Sequence, residues 1–209
     1  MTLFRPVGIY ELALIGATGF RAFRPRLAEE PTLYSAMNRR YAEEIAFQWN
    51  PSDPDSGFAG FVTAFEVPTA VVAAYPAHVV GAAHHEEIWV PAAEQQDFEA
   101  AFTSDIAVID ATVGHRIVEV LPAWRGEPGR VCGGELARLV QTIVVSSLVG
   151  DLPALEAAPE VERGRSSRST AAAVRAALRS YVFPSPQAFQ HDRLTRSAEG
   201  PRAARSNER

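Results

Sequence analysis

The sequence predicts an α+β protein whose core lies in residues 1–115. Three observations carry this. Strand and helix signals alternate only at first and then give way to a series of short strands with one late helix. There is no GxGxxG and no regular βαβ repeat, which argues against a doubly wound parallel sheet. Beyond Arg116 the periodic patterns weaken, which sets residues 116–183 apart as a weakly structured, partly helical extension.

The elements follow in order. Leu3–Val7 reads as a first strand, stopped by Gly8. Ile9, Leu12 and Ile15 fall at helical spacing, so Ile9–Thr18 reads as a helix with Gly19 as its C-terminal glycine. Arg21, Arg24 and Arg26 form a basic stretch that Pro25 keeps irregular. Thr32–Tyr34 is a second strand. Asn38 is a good N-cap for a helix whose apolar stripe is Tyr41, Ala42, Ile45, Ala46 and Trp49. Residues 50–57, rich in Pro, Asp, Ser and Gly, form a loop. Phe61–Val67 alternates with period two and predicts a strand with one wet face, ended by Pro68. His78–Val80 and Ile88–Val90 are two further strands. Pro91 opens a helix from Ala92 to Phe102, anchored by Phe98 and Phe102. Ile106–Ile109 is read as the closing strand. Leu136–Leu148 has the apolar content of a helix. Residues 184–209 hold Pro, Ser and Arg with few hydrophobes and predict a disordered tail.

Composition excludes several classes. An apolar fraction of 47% is ordinary, so a core can form. No run reaches the ~18 apolar residues of a membrane span, and the N-terminus lacks the pattern of a signal peptide. A soluble cytoplasmic protein is the expectation. The single cysteine, Cys132, can form neither an internal disulfide nor a thiolate metal cluster, and without a nearby histidine it reads as inert. Net charge is −5, unevenly spread. Residues 1–115 carry six arginines against fifteen acids, and residues 116–209 carry fourteen against ten. The acidic N-terminal part argues against nucleic-acid binding there.

The chemistry concentrates in His84-His85-Glu86-Glu87-Ile88-Trp89-Val90-Pro91. A metal centre is not expected. On a strand, adjacent side chains diverge, so only His85 with Glu87, or His84 with Glu86, would converge. The segment is not HExxH either. Glu87 reads instead as an isolated carboxylate opening a strand, with His85 on the same face.

These residues resemble the ADP-ribosyltransferases. That family carries a glutamate directly before a short hydrophobic strand ending in proline, with a polar residue two positions earlier; Glu87–Pro91 and His85 are similar to that segment. Leu3-Phe4-Arg5 resembles the family's first strand. Thr32–Ala36, running into Tyr41–Ala46, resembles the tyrosine-bearing strand and alanine-rich helix of one branch. Gly60–Val67 resembles the next core strand, with Thr63 as the remnant of a Ser-Thr-Ser motif. The likeness covers residues 3 to about 110 and extends to small bacterial proteins labelled as ADP-ribosylation related.

The resemblance implies a compact split β-sheet core with two or three helices, and NAD⁺ as substrate. It implies transfer of ADP-ribose to an unknown acceptor, whether protein, nucleic acid or small molecule. A catalytically silent nucleotide- or protein-binding module of the same fold is the alternative. Glu87 would hold the ribose 2′-hydroxyl and stabilise an oxocarbenium-like state, Arg5 would anchor ribose or pyrophosphate, and Tyr34 would stack on nicotinamide. Thr63 and His85 would complete the cofactor site. His85 stands where arginine-modifying members have an acid, so the acceptor does not follow. Each residue also has a plainer reading: Arg5 as a strand-end arginine paired with an acid, Tyr34 as a strand aromatic, His84 and His85 as a polar loop, Glu86 as solvated, Trp89 as core.

Overall fold

The computed structural model describes residues 1–26 and 30–152; the expectations for residues 153–209 lie outside that range. Strands β1 (Thr2–Val7), β2 (Thr32–Ala36), β3 (Ala59–Glu66), β4 (Ala77–Val79), β5 (Glu86–Pro91), β6 (Ala107–Val113) and β7 (Gly129–Val131) form one sheet. Their order is β4-β5-β2-β1-β3-β6-β7, and each neighbouring pair is antiparallel. Helices α1 (Ile9–Ala17), α2 (Arg39–Glu44), α3 (Thr69–Val72), α4 (Gln95–Ala100), α5 (Ile117–Val120) and α6 (Gly133–Val149) complete the α+β architecture. Among the described residues, no helix is long and apolar enough to cross a membrane.

The period-two alternation of the strands divides the core. Leu3, Val7, Leu33, Phe61, Phe65, Ile88 and Val90 point to one face and pack with α1 and α6. Phe4, Ala36, Val62 and Ala64 point to the other and pack with Tyr41, Ala42 and Ala46. β3 therefore has no wet face, contrary to its pattern. Helices cover it on both sides, and only its last residue, Glu66, is exposed. Thr63 and Ala64, which suggested solvent, are instead fully buried positions.

α1 ends at Thr18, followed by Gly19 at φ 71°, as the sequence suggested. α2 begins on Asn38, whose side-chain oxygen accepts from the Tyr41 amide at 3.0 Å. The stripe then departs from expectation. Ile45–Trp49 widens into a π-helical turn, which shifts the phase of a 3.6-residue pattern, and Trp49 ends 62% exposed. The wide turn lies directly on β3. A Cβ on Gly60 would stand 1.8 Å from the Ala46 carbonyl oxygen, so glycine is a packing requirement there.

β6 is not the closing strand. β7 pairs with it at Ala111–Val131, Thr112–Arg130 and Val113–Gly129. α6 follows from Cys132, which is exposed, and buries Leu136, Leu139, Val140, Ile143 and Val144 in the main core. Among residues 117–152, α5 and β7 are short, and only α6 is a long element. The apolar face of α6 packs on α1 and joins the main core through it. The helices meet closely, since a Cβ on Gly16 would lie 2.5 Å from a Val144 methyl.

Two substitutions test this packing. Leu139→Ala should cost about 2–5 kcal/mol in urea unfolding, the range for a fully buried leucine; a change under about 0.5 kcal/mol would mean that α6 is an appendage. Gly60→Ala should destabilise by about 1–3 kcal/mol or more, because the obstacle is backbone and not a side-chain tip.

Candidate functional site

A cleft of about 330 Å³ opens beside the β1–β2 joint, lined by Arg5, Pro6, Tyr34, Ala36, Tyr41, Ile45 and Glu87. Its origin is local. β1 and β2 share only the Phe4–Ala36 pair, whereas β1 and β3 pair from Thr2–Glu66 to Val7–Phe61. Where the two strands part, the Tyr34 carbonyl takes a hydrogen bond from Arg5 Nη1 at 2.6 Å in place of a ladder bond.

Glu87 and Trp89 alternate with buried Ile88 and Val90, so both rise on the α2 face of β5. Both carboxylate oxygens of Glu87 are engaged. The Trp89 indole N–H donates to Oε1 at 2.6 Å, and the Tyr41 hydroxyl donates to Oε2 at 3.2 Å. Burial, then the charge of Glu87 and the bond to it, push the Tyr41 phenol up to about 12, so it remains a donor throughout the neutral range. Trp89 is stacked on His78 at 3.9 Å and meets the edge of Tyr34 at 6.0 Å. Tyr34 is 43% exposed and Trp89 40%, so the plainer reading of Trp89 as core is corrected. Its ring stands next to two cleft-lining residues, Tyr34 and Glu87.

Arg5 shares the parity of Leu3 and Val7 and so rises on the α1 side. Its Nε and Nη2 grip Glu11 at 3.0 and 3.3 Å. Arg26 Nη2 reaches the same carboxylate at 3.3 Å. Burial pushes the Glu11 carboxyl up, but Arg5, Arg26 and Arg24 outweigh burial and hold it below its ordinary value. Arg5 thus borders the cleft while paired with an acid.

Two expected cofactor residues lie elsewhere. Thr63 is fully buried, and its hydroxyl donates to the Arg5 carbonyl at 2.8 Å, a cross-strand bond away from the cleft lining. His85 precedes β5, so strand alternation does not place it beside Glu87. Its Nε2 lies 2.8 Å from Glu44 Oε2, and its ring stacks on Tyr41 at 4.6 Å. His84 Nε2 meets Glu44 Oε1 at 2.7 Å. The adjacent histidines converge, contrary to the strand argument, because they sit in a turn. Their bonds, His85's first and then His84's, hold the Glu44 carboxyl down at about 2.

Glu44, His84 and His85 bring three potential ligand atoms within 4.8 Å of one another. Two contacts oppose a cation there. Arg40 Nε donates to Glu44 Oε1 at 3.1 Å. The Ala82 amide donates to His85 Nδ1 at 3.2 Å, which requires a lone pair on Nδ1 and places the neutral ring's proton on Nε2. A metal on Nε2 needs the opposite tautomer, with Nδ1–H facing an acceptor. The cluster is a hydrogen-bonded clamp.

The structure thus brings Arg5, Tyr34 and Glu87 to one cleft and adds Tyr41, which sequence reasoning assigned to a core stripe. Trp89 is the second addition; its i+2 spacing from Glu87 on a strand was the signal that could have found it. A wider depression of about 470 Å³ between Arg21, Glu99 and Asp105 contains none of the expected residues. Comparison of the chain with protein-family models, curated proteins and solved structures returns no match.

The Tyr41 phenol provides a direct check. Its folded value lies above the ordinary 10, so the folded state retains the proton where the unfolded state loses it. The associated stability should be intact below pH 10 and lost as pH rises to about 12. Glu87→Gln should move the NMR-detected midpoint of Tyr41 only part of the way down, because burial remains; an unmoved midpoint would show that Glu87 does not contribute.

Proposed function

We propose that the protein binds NAD⁺ in the Arg5–Tyr34–Glu87 cleft and transfers ADP-ribose to an acceptor with release of nicotinamide, on an ADP-ribosyltransferase-like fold. The supporting observation is the convergence on a single cleft of three groups from distant parts of the sequence. The joint between β1 and β2 is narrowed to the Phe4–Ala36 pair within one continuous sheet, and the cleft opens beside it.

The cleft volume lies near the lower end of the ~300–1,000 Å³ usual for small-molecule sites, which suits the reacting nicotinamide–ribose end. The pyridinium ring would lie against Tyr34, an aromatic face suited to a cationic heterocycle. Glu87 would accept from the ribose 2′-hydroxyl through lone pairs not used by Trp89 and Tyr41. The C1′–N bond breaks, its electron pair leaves with neutral nicotinamide, and positive charge develops on the ribose beside the carboxylate. The acceptor then bonds to C1′ and loses its proton. Arg5 would contribute through its remaining guanidinium N–H groups.

The silent module is favoured by one observation: Arg5 is already engaged by Glu11 and the Tyr34 carbonyl, and Glu87 by two donors. Incubation with NAD⁺ separates the two. Transferase activity predicts nicotinamide release that Glu87→Gln lowers about 10²–10³-fold with little change in NAD⁺ affinity. Binding without release supports the silent module. Equal release by both forms would remove Glu87 from the mechanism.

A further inference from the structure

We propose that the turn Gly81–His85 is a positioning element for Glu87, acting through the stacked ring of His85. The mechanistic half rests on the transferase reading above; the structural half does not. Tyr41 supplies one of the two donors to Glu87, and that donor is useful only if the phenol ring is held still. The His85 ring lies against it at 4.6 Å with an interplanar angle of 21°. His85 is itself fixed on two other sides, by Nε2–H to Glu44 and by the Ala82 amide on Nδ1. Rotation of Tyr41 away from Glu87 is therefore opposed by a ring that has no freedom to yield.

The turn is tied to both ends of α2. At the start, Asn38 Nδ2 donates to the His84 carbonyl at 2.6 Å, and the Met37 amide donates to the Glu86 carbonyl at 2.8 Å. At the end, Glu44 accepts from both histidines. Tyr41 lies between these anchors. Helix and turn thus hold the phenol in one place relative to β5. Gly81 belongs to the device, because a Cβ there would stand 2.6 Å from His85 Nδ1. His85 does not line the cleft, so its role is positional. Small misplacements of a reacting group are costly, on the order of 10²-fold for 1 Å.

The indole N–H of Trp89, bonded to the other Glu87 oxygen, reports the carboxylate's position without any substrate. In ¹⁵N-labelled full-length protein it is one of three indole resonances and is assigned with Trp89→Phe. Tyr41→Phe sets the scale by removing its donor to Glu87. His85→Ala should displace the Trp89 resonance by at least half of that change, and Gly81→Ala should displace it without removing any side chain. His85→Phe, which keeps a stacked ring, should lie closer to wild type than His85→Ala. In nicotinamide release, His85→Ala should lower kcat about tenfold with KM within about twofold.

An unmoved Trp89 resonance in both His85→Ala and Gly81→Ala would overturn the proposal. So would equal displacement by Phe and Ala at position 85. Should His85→Ala fail to fold, Gly81→Ala and His85→Phe carry the test. If the wild type releases no nicotinamide, the transferase reading fails while the Trp89 resonance still decides the structural claim.

Discussion

The site depends on one buried carboxylate being held by two neutral donors. Removing a carboxylate from water without compensation costs several kcal/mol. Glu87 meets that cost with the Trp89 indole on one oxygen and the Tyr41 hydroxyl on the other. The donors come from different elements, β5 and α2, so the carboxylate joins the sheet to the helix covering it. Strand alternation supplies the first donor from the same face two residues on. The N-capped start of α2 supplies the second by bringing Tyr41 over β2 and β5.

The opposite face of the sheet prepares the other side of the cleft. Arg5 lies on a strand that separates from β2 after one register pair, and its guanidinium bridges the gap to the Tyr34 carbonyl. Glu11 orients that guanidinium, and Glu11 sits on α1. α1 is backed by α6 at Gly16 and Val144, so a helix more than a hundred residues away in sequence stabilises the platform for Arg5. A parallel brace serves α2. Asp110 on β6 is gripped by Arg130 of β7 and Arg39 of α2, and Arg39 also holds Glu43. The late segment therefore reaches both walls of the cleft without lining it.

Elements with strong local chemistry were legible in the sequence. Asn38 announced α2, Gly19 the end of α1, and the apolar runs around Phe61 and Ile88 their strands. What depended on long-range packing was not. Trp49 fits a 3.6-residue stripe, but the π-helical turn that moves it outward is set by contact with Gly60, eleven residues on. β3 looked half-wet because alanine and threonine resemble solvent-facing residues until helices are seen on both sides. At the candidate site, residue type and order pointed to Glu87, Tyr34 and Arg5, which line one cleft. Thr63 and His85 lie off the cleft lining because a strand pattern was extended through a hydrogen-bonded core position in one case and past a strand end in the other. Tyr41 and Trp89 were hidden because an aromatic in an apolar stripe or strand reads as core whether or not its polar edge is at work.

The partners of Glu87 differ from those of the acids that brace the sheet. Glu11 faces Arg5 and Arg26, Asp110 faces Arg39 and Arg130, and Glu44 faces Arg40 and two imidazoles. Each is matched by cationic or imidazole partners and is structural. Among the described residues, the side-chain bonds to Glu87 come from an indole and a phenol, which orient the carboxylate without cancelling its charge. A guanidinium in their place would have secured Glu87 more firmly and left less field for a nearby positive centre. The Arg5 guanidinium, at the border of the same cleft, is engaged by Glu11 and the Tyr34 carbonyl instead. The cleft thereby holds an oriented carboxylate beside an aromatic wall, the feature on which the proposed transferase reading rests.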